Sequence, residues 1–337
     1  MKAVRFHSTG GPEVLVYEDV PDPVPADGEV LIRVEAVGLN FSDVMRRRGD
    51  DYPDPSPPPF TLGGEVAGAI AAVGDGVRSL NVGDPVFATP GVGGYAQYIR
   101  VPAPLVIPLP GGVSTEQAAA LVVHGLTAAV ALRNCARLAE GESVLVEAAA
   151  GGVGSFAIQL AKLYGAGKVI AAASTPRKRA TAEGLGADAS VDYTAPGWAA
   201  AVRELTEGRG VDVVLETAGG ETVGQALDAM APFGRMVFIG QSSGKTALID
   251  PWRLTAANHT VTGMYIGAYA AMPDLMMSAL GELVGYVATG QLSVQVGAVL
   301  PLSQAAEAHR LLEGRMTTGK VVLQPWNLPE DNNEAKR

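Results

Sequence analysis

Cysteine is almost missing from this 337-residue chain: Cys135 stands alone. That excludes an intramolecular disulfide and any zinc site built from several thiolates. No run reaches the roughly 18 uninterrupted apolar residues of a membrane span, and the opening Met1-Lys-Ala-Val-Arg-Phe-His lacks the apolar stretch of a secretory signal. Basic residues are short as well. Twenty-five Lys and Arg against 35 Asp and Glu leave a net charge of −10, so a nucleic-acid partner has no global electrostatic support. A cytoplasmic protein with no membrane span and no nucleic-acid partner is expected.

What is present is apolar and turn-rich, with 47% hydrophobic residues, 42 Gly and 23 Pro. The length favours two domains, each burying its own core. Residues 1–123 carry short alternating runs at Ala3–Phe6, Val14–Tyr17, Glu29–Val34, Glu65–Ile70 and Gly94–Ile99. They read as strands of a twisted, partly open barrel. Tyr52-Pro-Asp-Pro-Ser-Pro-Pro-Pro59 cannot be regular structure and reads as an ordered loop. Ser114 and Gln117 open a helix as a capping-box pair. Residues 124–267 alternate strand and helix, with strands at Val169–Ala173, Val211–Leu215, Met236–Gly240 and Val261–Tyr265 and helices near 177–184, 197–207 and 221–231. That pattern predicts a doubly wound parallel sheet with ligand at its carboxyl edge. Residues 268–337 read as a return to the first domain: a helix at Asp274–Thr289, a strand at Val294–Val299, a helix at Ser303–Glu313, the strand from Lys320, and a frayed polar tail from Pro329.

The most informative stretch is Ser143–Lys162. Val144–Ala148 is a short apolar strand, Ala149–Gly154 a turn without bulky side chains, and Phe156, Ile158, Leu160 and Leu163 recur as on an amphipathic helix. A strand that bends sharply into a helix leaves backbone N–H groups and a positive dipole end aimed at one spot, which suits a pyrophosphate. The dinucleotide fingerprint G-x-G-x-x-G falls on Ala149, Gly151 and Gly154. Gly151 lets backbone approach phosphates and Gly154 lets the helix lie close on the strand, while Ala149 requires a turn that tolerates a methyl group. About 20 residues on, an NAD-selective fold places an acidic side chain. Here the run Ala171–Arg179 carries none, and offers Ser174 and Lys178. A carboxylate there would repel a 2′-phosphate by on the order of 4 kcal/mol per unit charge. The expected cofactor is NADP(H); the plainer alternative is that Arg177–Arg179 is a solvated basic turn.

At this point the chain resembles the medium-chain dehydrogenase/reductases, in their zinc-free quinone oxidoreductase (zeta-crystallin-like) branch. Gly141–Lys162 is similar to that branch's signature throughout, including Gln159 and Lys162. Gly38-Leu-Asn40-Phe-Ser-Asp43, Leu62–Gly68, Gly74–Val77 with Val82–Asp84, His124–Ala128 and Met316–Val322 also match, so the similarity spans residues 1 to about 325. The resemblance implies a co-chaperonin-like barrel joined to a Rossmann domain, with nicotinamide in the cleft between them. Carried over by position, it implies Asn40 and Thr127 near the nicotinamide, and Gly152 and Val153 at the pyrophosphate. It implies Ser174, Lys178 and Tyr193 around the 2′-phosphate. Thr217, Ala218, Ile239, Gly240, Gln241 and Met264 would line the cofactor trough, with Lys320 at its rim. Relatives that bind zinc carry a cysteine near position 40 and a histidine just before the glutamate at 65; here those positions are Asn40 and Gly64, so no metal is expected.

Without a Lewis acid or a triad, catalysis is positioning: the reduced nicotinamide is held against an acceptor that already carries its own electron sink. A quinone or conjugated enone fits that demand better than an unactivated ketone. Asn40 and Tyr52 are the candidate catalytic side chains, Tyr52 equally readable as loop packing. Asp43 and Arg47, four apart on a helix, read as a structural ion pair. His124 reads as a hydrogen-bonded structural histidine or a proton relay, and His309 as a helix-face residue. Tyr265 reads as edge packing or a substrate contact. The leading expectation is an NADPH-dependent quinone or enone reductase, a homodimer through an edge near Val261–Ile266. The rivals are an enoyl-thioester reductase and a non-catalytic NADPH-binding structural or RNA-associated protein.

Overall fold

In the computed structural model, which describes residues 1–54 and 56–326, the short alternating runs become strands. β1 (Lys2–Phe6) and β2 (Leu15–Asp19) form a hairpin-like pair. β3 (Glu29–Leu39) alternates buried and half-buried residues up to Glu35 and is wholly buried from Ala36 to Leu39, as it passes from an alternating strand into the interior. The helix α1 (Phe41–Arg48) ends on Gly49, whose φ of +81° suits glycine. β4 (Phe60–Thr61), β5 (Val66–Val73), β6 (Pro85–Ala88), β7 (Tyr98–Pro102) and β8 (Val106–Pro108) follow. Of the stretch Gly94–Ile99 only Tyr98 and Ile99 join a strand. The residues before them turn back, with the Tyr95 N–H bonded to Leu62 O and the Tyr95 carbonyl accepting the Val4 N–H.

α2 (Thr115–Val130) begins at the expected capping box: the Ser114 N–H donates to Gln117 Oε1 at 2.9 Å and the Gln117 N–H to Ser114 Oγ at 3.2 Å. Such a cap stabilises a helix by about 1 kcal/mol. With the π-helical turn that continues it, Thr115–Cys135 is long and apolar enough to cross a bilayer by length and composition, yet 72% of its most apolar window is buried inside the protein. Then come β9 (Ser143–Glu147), α3 (Gly152–Leu163), β10 (Lys168–Ala172), α4 (Pro176–Gly184), β11 (Ala189–Val191), α5 (Trp198–Leu205), β12 (Val211–Glu216), α6 (Thr222–Ala229), β13 (Met230–Phe238), α7 (Pro251–Ala257), β14 (Thr260–Gly263) and α8 (Pro273–Ala288). The chain closes with β15 (Val296–Pro301), α9 (Ala305–Glu313) and β16 (Lys320–Gln324).

The chain divides into two units. The first holds Met1–Val123 and the chain from Val296; the second is His124–Gln295. In the first, β2-β1-β4 is a small antiparallel sheet, and β15-β16-β3-β5-β6-β8 with β7 on β3 forms the larger one. Phe6, Ile32, Val34, Leu62, Val86 and Tyr95 sit in its core. In the second, β11-β10-β9-β12-β13-β14 is a six-stranded sheet, parallel at every pairing. Its strand order reverses between β9 and β12, the place where an open α/β sheet opens a crevice at its carboxyl edge. Leu145, Ile170, Trp198, Val202, Val214 and Met236 pack one core of this unit.

The second unit runs to Gln295, so residues 268–295, expected in the returning segment, group with the parallel sheet instead. Side chains explain this. Gln159 on α3 accepts the Ser293 N–H at 2.8 Å and donates to Ser293 O at 3.0 Å, and Arg133 holds Glu282 of α8 at 2.7 Å. Gln159 and Lys162 therefore have structural partners, Lys162 pairing Asp188 at 2.7 Å. Two further expectations change. Asp43 does not pair with Arg47: its carboxylate accepts the N–H groups of Asn40 (2.9 Å) and Gly63 (3.2 Å), while the fully buried Arg47 pairs with Glu313 of α9. His309 is no helix-face residue: it is fully buried, 3.1 Å from the Tyr95 hydroxyl, and burial pulls its imidazole down to about 3. The polar tail from Pro329 lies outside the described residues.

Candidate cofactor site

The carboxyl edge of the parallel sheet gathers most of the residues expected to hold a cofactor. β9 ends at Glu147, Ala148 takes φ +45°, and the turn closes with the Gly151 N–H on Ala148 O at 2.7 Å. Left-handed backbone is thus taken by an alanine just before the fingerprint, and Ala149 itself is buried with its N–H on Ala172 O at 3.2 Å. Gly151 is the N-cap of α3, and the first bond of the helix runs from the Ser155 N–H to Gly151 O at 2.9 Å. The N–H groups of Gly152, Val153 and Gly154 precede it, as at any helix start, and meet the positive end of the dipole.

Each glycine of the bend has its own reason. A methyl on Gly154 would lie 2.7 Å from Ala149 Cα and 2.9 Å from its carbonyl carbon, so close packing of α3 on the end of β9 demands glycine, as expected. A methyl on Gly151 would meet one atom, Ala148 O at 3.0 Å, leaving the bend a bare backbone surface. A methyl on Gly152 would run into the His124 imidazole. Gly152 is therefore glycine because α2 passes against it, a constraint no local pattern shows.

β10 delivers Ser174, half-buried, two residues past its end. Thr175 caps α4 by accepting the Lys178 N–H at 3.3 Å, which places Lys178 on the first turn of α4, also half-buried. Of the basic turn, Arg179 is engaged with Asp192 at 3.0 Å, and Arg177 is exposed. Tyr193 follows β11 and packs partly against the core of the unit. β12 delivers Thr217, whose hydroxyl donates to Glu147 O at 3.4 Å, and Ala218, 3% exposed. Ile239, Gly240 and Gln241 leave β13, the Ile239 N–H bonded to Glu216 O at 2.9 Å, and Met264 leaves β14 with its N–H on Phe238 O at 2.9 Å. Thr127 is on α2, 5% exposed.

Asn40, Tyr52 and Lys320 belong to the first unit. Asn40 precedes α1 and is 5% exposed; its amide N–H donates to Glu65 Oε1 at 2.9 Å and its amide oxygen accepts Lys320 Nζ at 2.8 Å. Lys320, 1% exposed, also pairs with the fully buried Glu65, whose second oxygen takes the Val123 N–H at 2.9 Å. A rim position for Lys320 is thereby replaced by a buried one. Beside this network, burial raises Asp43 to about 6 against the pull of its two backbone donors and of Lys320. The Tyr52 ring lies under the Arg46 guanidinium, 4.7 Å from the ring centroid, and Arg46 also holds Asp54 at 3.0 Å and Ser56 at 2.6 Å. The proline loop is thus fastened by one arginine.

Residue patterns did not single out Glu147 and Glu216, which end β9 and β12 on either side of the crevice. Both are fully buried. Glu216 Oε1 accepts the N–H groups of Ala218 (3.0 Å) and Gly219 (2.6 Å). The available signal was an acidic residue closing each of two mainly apolar strand runs, Val144–Val146 and Val213–Leu215.

Two family models match: an alcohol dehydrogenase GroES-like domain over residues 26–111 and a zinc-binding dehydrogenase over residues 152–282. A quinone oxidoreductase of Pseudomonas aeruginosa is 38% identical, over 96% of this chain and 99% of its own. The chain belongs to the quinone oxidoreductase branch of the medium-chain dehydrogenase/reductases. A 2-haloacrylate reductase of a Burkholderia species is 34% identical over 96% of this chain and 98% of its own. Quinone oxidoreductase of Escherichia coli, solved with NADPH, is 34% identical and superposes with a TM-score of 0.90, covering 96% of this chain and 100% of the other. As an oxidoreductase of this family the chain has the GroES-like domain and the Rossmann-like domain that the resemblance implied. The second family model is named for zinc; among the described residues no three His, Cys, Asp or Glu side chains gather as a metal-holding group.

Proposed function

We propose that this protein is an NADPH-dependent reductase of quinones or related conjugated carbonyls that works without a metal. The observation that carries the reading is the carboxyl edge of the second unit's sheet. A bare glycine bend at a helix N-terminus stands beside a strand end, Ala173–Lys178, that offers a hydroxyl and an ammonium and no carboxylate. In this reading the N–H groups of Gly152 and Val153 bind the pyrophosphate, and Ser174, Lys178 and Tyr193 surround the 2′-phosphate. Thr217, Ala218, Ile239, Gly240, Gln241, Met264 and Thr127 orient the rest of the molecule. Once bound there, the nicotinamide supplies hydride to an electron-poor acceptor. Asn40, fixed from both sides by Glu65 and Lys320, is a pre-oriented amide rather than a mobile one, and Tyr52 is held by Arg46. Both are the side chains we assign to substrate positioning.

The names of the relatives, a quinone oxidoreductase and a 2-haloacrylate reductase, support acceptors that carry their own electron sink. Following NADPH oxidation with a benzoquinone and with a crotonyl thioester tests the assignment. Turnover of the quinone is expected; turnover of the thioester alone replaces this reading with an enoyl-thioester reductase. NADPH binding with no turnover of either leaves a non-catalytic binder. A homodimer belongs to the same reading, because β14 is the outermost strand of its sheet and is half-buried or exposed along its length.

A further inference from the structure

We propose that Glu147 and Glu216 share one proton across β9 and β12, and that this pair is a positioning device holding the glycine bend and the 217–220 loop in register for the cofactor. The proposal rests on the functional reading above for what the two loops hold, though not for the proton. Three facts of geometry support it. The two residues lie one step beyond the Val146–Leu215 register pair of adjacent parallel strands, and both are fully buried. Neither carboxyl oxygen of Glu147, nor Oε2 of Glu216, is closed by a hydrogen bond within 3.5 Å among the described residues, though the Thr217 and Ala218 N–H groups face Glu147. Glu216 Oε1, by contrast, takes two backbone N–H groups, from Ala218 and Gly219.

Two bare carboxylates side by side away from water cannot both stay charged; one proton between them turns the repulsion into a hydrogen bond. Glu216, whose Oε1 accepts the Ala218 and Gly219 N–H groups, is the member built to keep the charge, so the proton sits on Glu147. Burial and the facing Glu216 push its carboxyl well above the usual range despite the Thr217 and Ala218 N–H groups, and burial raises Glu216 as well. β10 presents Ala172 opposite Glu147 and β13 presents Phe238 opposite Glu216. α6 presents the Thr222 hydroxyl, at 3.5 Å from Glu216 Oε1. At the start of α3 the His124 imidazole lies against Gly152, and Lys245, itself exposed, lies over Gly219 and Gly220.

The mechanical consequence follows from where each residue stands. Glu147 leads directly into Ala148 and the bend. Glu216 organises the turn at Gly219 and Gly220, both at positive φ. One shared proton therefore ties two cofactor loops together and lowers by one the negative charge beneath an anion-binding bend.

The test uses the full chain. Infrared difference spectra between wild type and Glu147→Gln at pH 8, without cofactor, are expected to show a protonated-carboxyl stretching band in wild type that the variant lacks. Absence of that band in wild type overturns the proposal, whether or not NADPH binds. Fluorescence titration with NADPH then tests positioning. Glu147→Gln, whose amide N–H replaces the shared proton, is expected to keep the wild-type Kd within about threefold. Glu147→Ala, which leaves Glu216 without its donor, is expected to weaken binding at least tenfold with an unchanged circular dichroism spectrum. Equal affinity in Glu147→Ala overturns the positioning role. Wild type that shows the band yet binds no NADPH supports the shared proton and removes the functional reading instead.

Discussion

Asp43 illustrates how one buried side chain sets a pH dependence. Its carboxyl is 3% exposed, and burial outweighs its two backbone donors, giving a value of about 6 against the usual 3.8. A carboxyl raised in the folded state binds its proton more tightly there than in the unfolded chain. Its contribution is therefore fully present below about pH 4 and is lost as pH climbs to about 6. The rise amounts to about 3 kcal/mol at about 1.4 kcal/mol per pH unit. Urea unfolding of wild type and Asp43→Asn between pH 4 and 7 is expected to show wild type losing stability relative to the variant by roughly that amount, then running parallel. Curves parallel throughout would mean that Asp43 stays ionised. The change adds a constant cost, since asparagine offers one acceptor oxygen to two N–H groups.

At the scale of elements, the bend between β9 and α3 depends on how near the helix comes to the strand. Gly154→Ala places a methyl 2.7 Å from Ala149 Cα, against backbone that cannot rotate away, and overpacking of this kind costs about 1–3 kcal/mol. Thermal unfolding is expected to fall accordingly, with weaker NADPH binding in fluorescence titration. This much was legible in the sequence, because glycine spacing after an apolar run encodes a strand–turn–helix. So were the capping box at Ser114 and Gln117 and the strand end carrying Ser174, whereas Thr217 and Ile239 were reached only through the family resemblance. The rest was not, for reasons of distance along the chain. Gly152 is glycine because of His124, and Lys320 is buried because Asn40 and Glu65, some 280 and 255 positions away, receive it. The Asp43–Arg47 spacing is right for a helical pair, yet Glu313 claims Arg47 and the backbone claims Asp43. β10 with α4 carries the remaining prediction at this scale. With Ser174 and Lys178 at the strand end and no carboxylate between Ala171 and Arg179, NADPH is expected to bind at least tenfold more tightly than NADH. Equal Kd values by fluorescence titration would show that the basic turn does not read the 2′-phosphate.

For the molecule as a whole, the open question in the sheet is its outer edge. β14 pairs with β13 through Thr260–Gly263 and is the last strand in the order. A strand there presents unpaired backbone donors and acceptors to whatever approaches. Its own residues, Thr260–Gly263, are half-buried or exposed. A second copy of the chain would cover that edge with one two-fold axis, since like edges meet antiparallel and self-complementary. With a net charge of −10 on each copy, such a contact must rest on backbone pairing and apolar burial rather than on charge, so added salt should favour it rather than dissociate it. Light scattering at micromolar concentration is expected to give twice the chain mass at both low and high salt. Amide exchange at Thr260–Gly263 should slow as concentration rises. A monomer at that concentration, or a dimer that salt dissolves, would place the contact elsewhere or remove it.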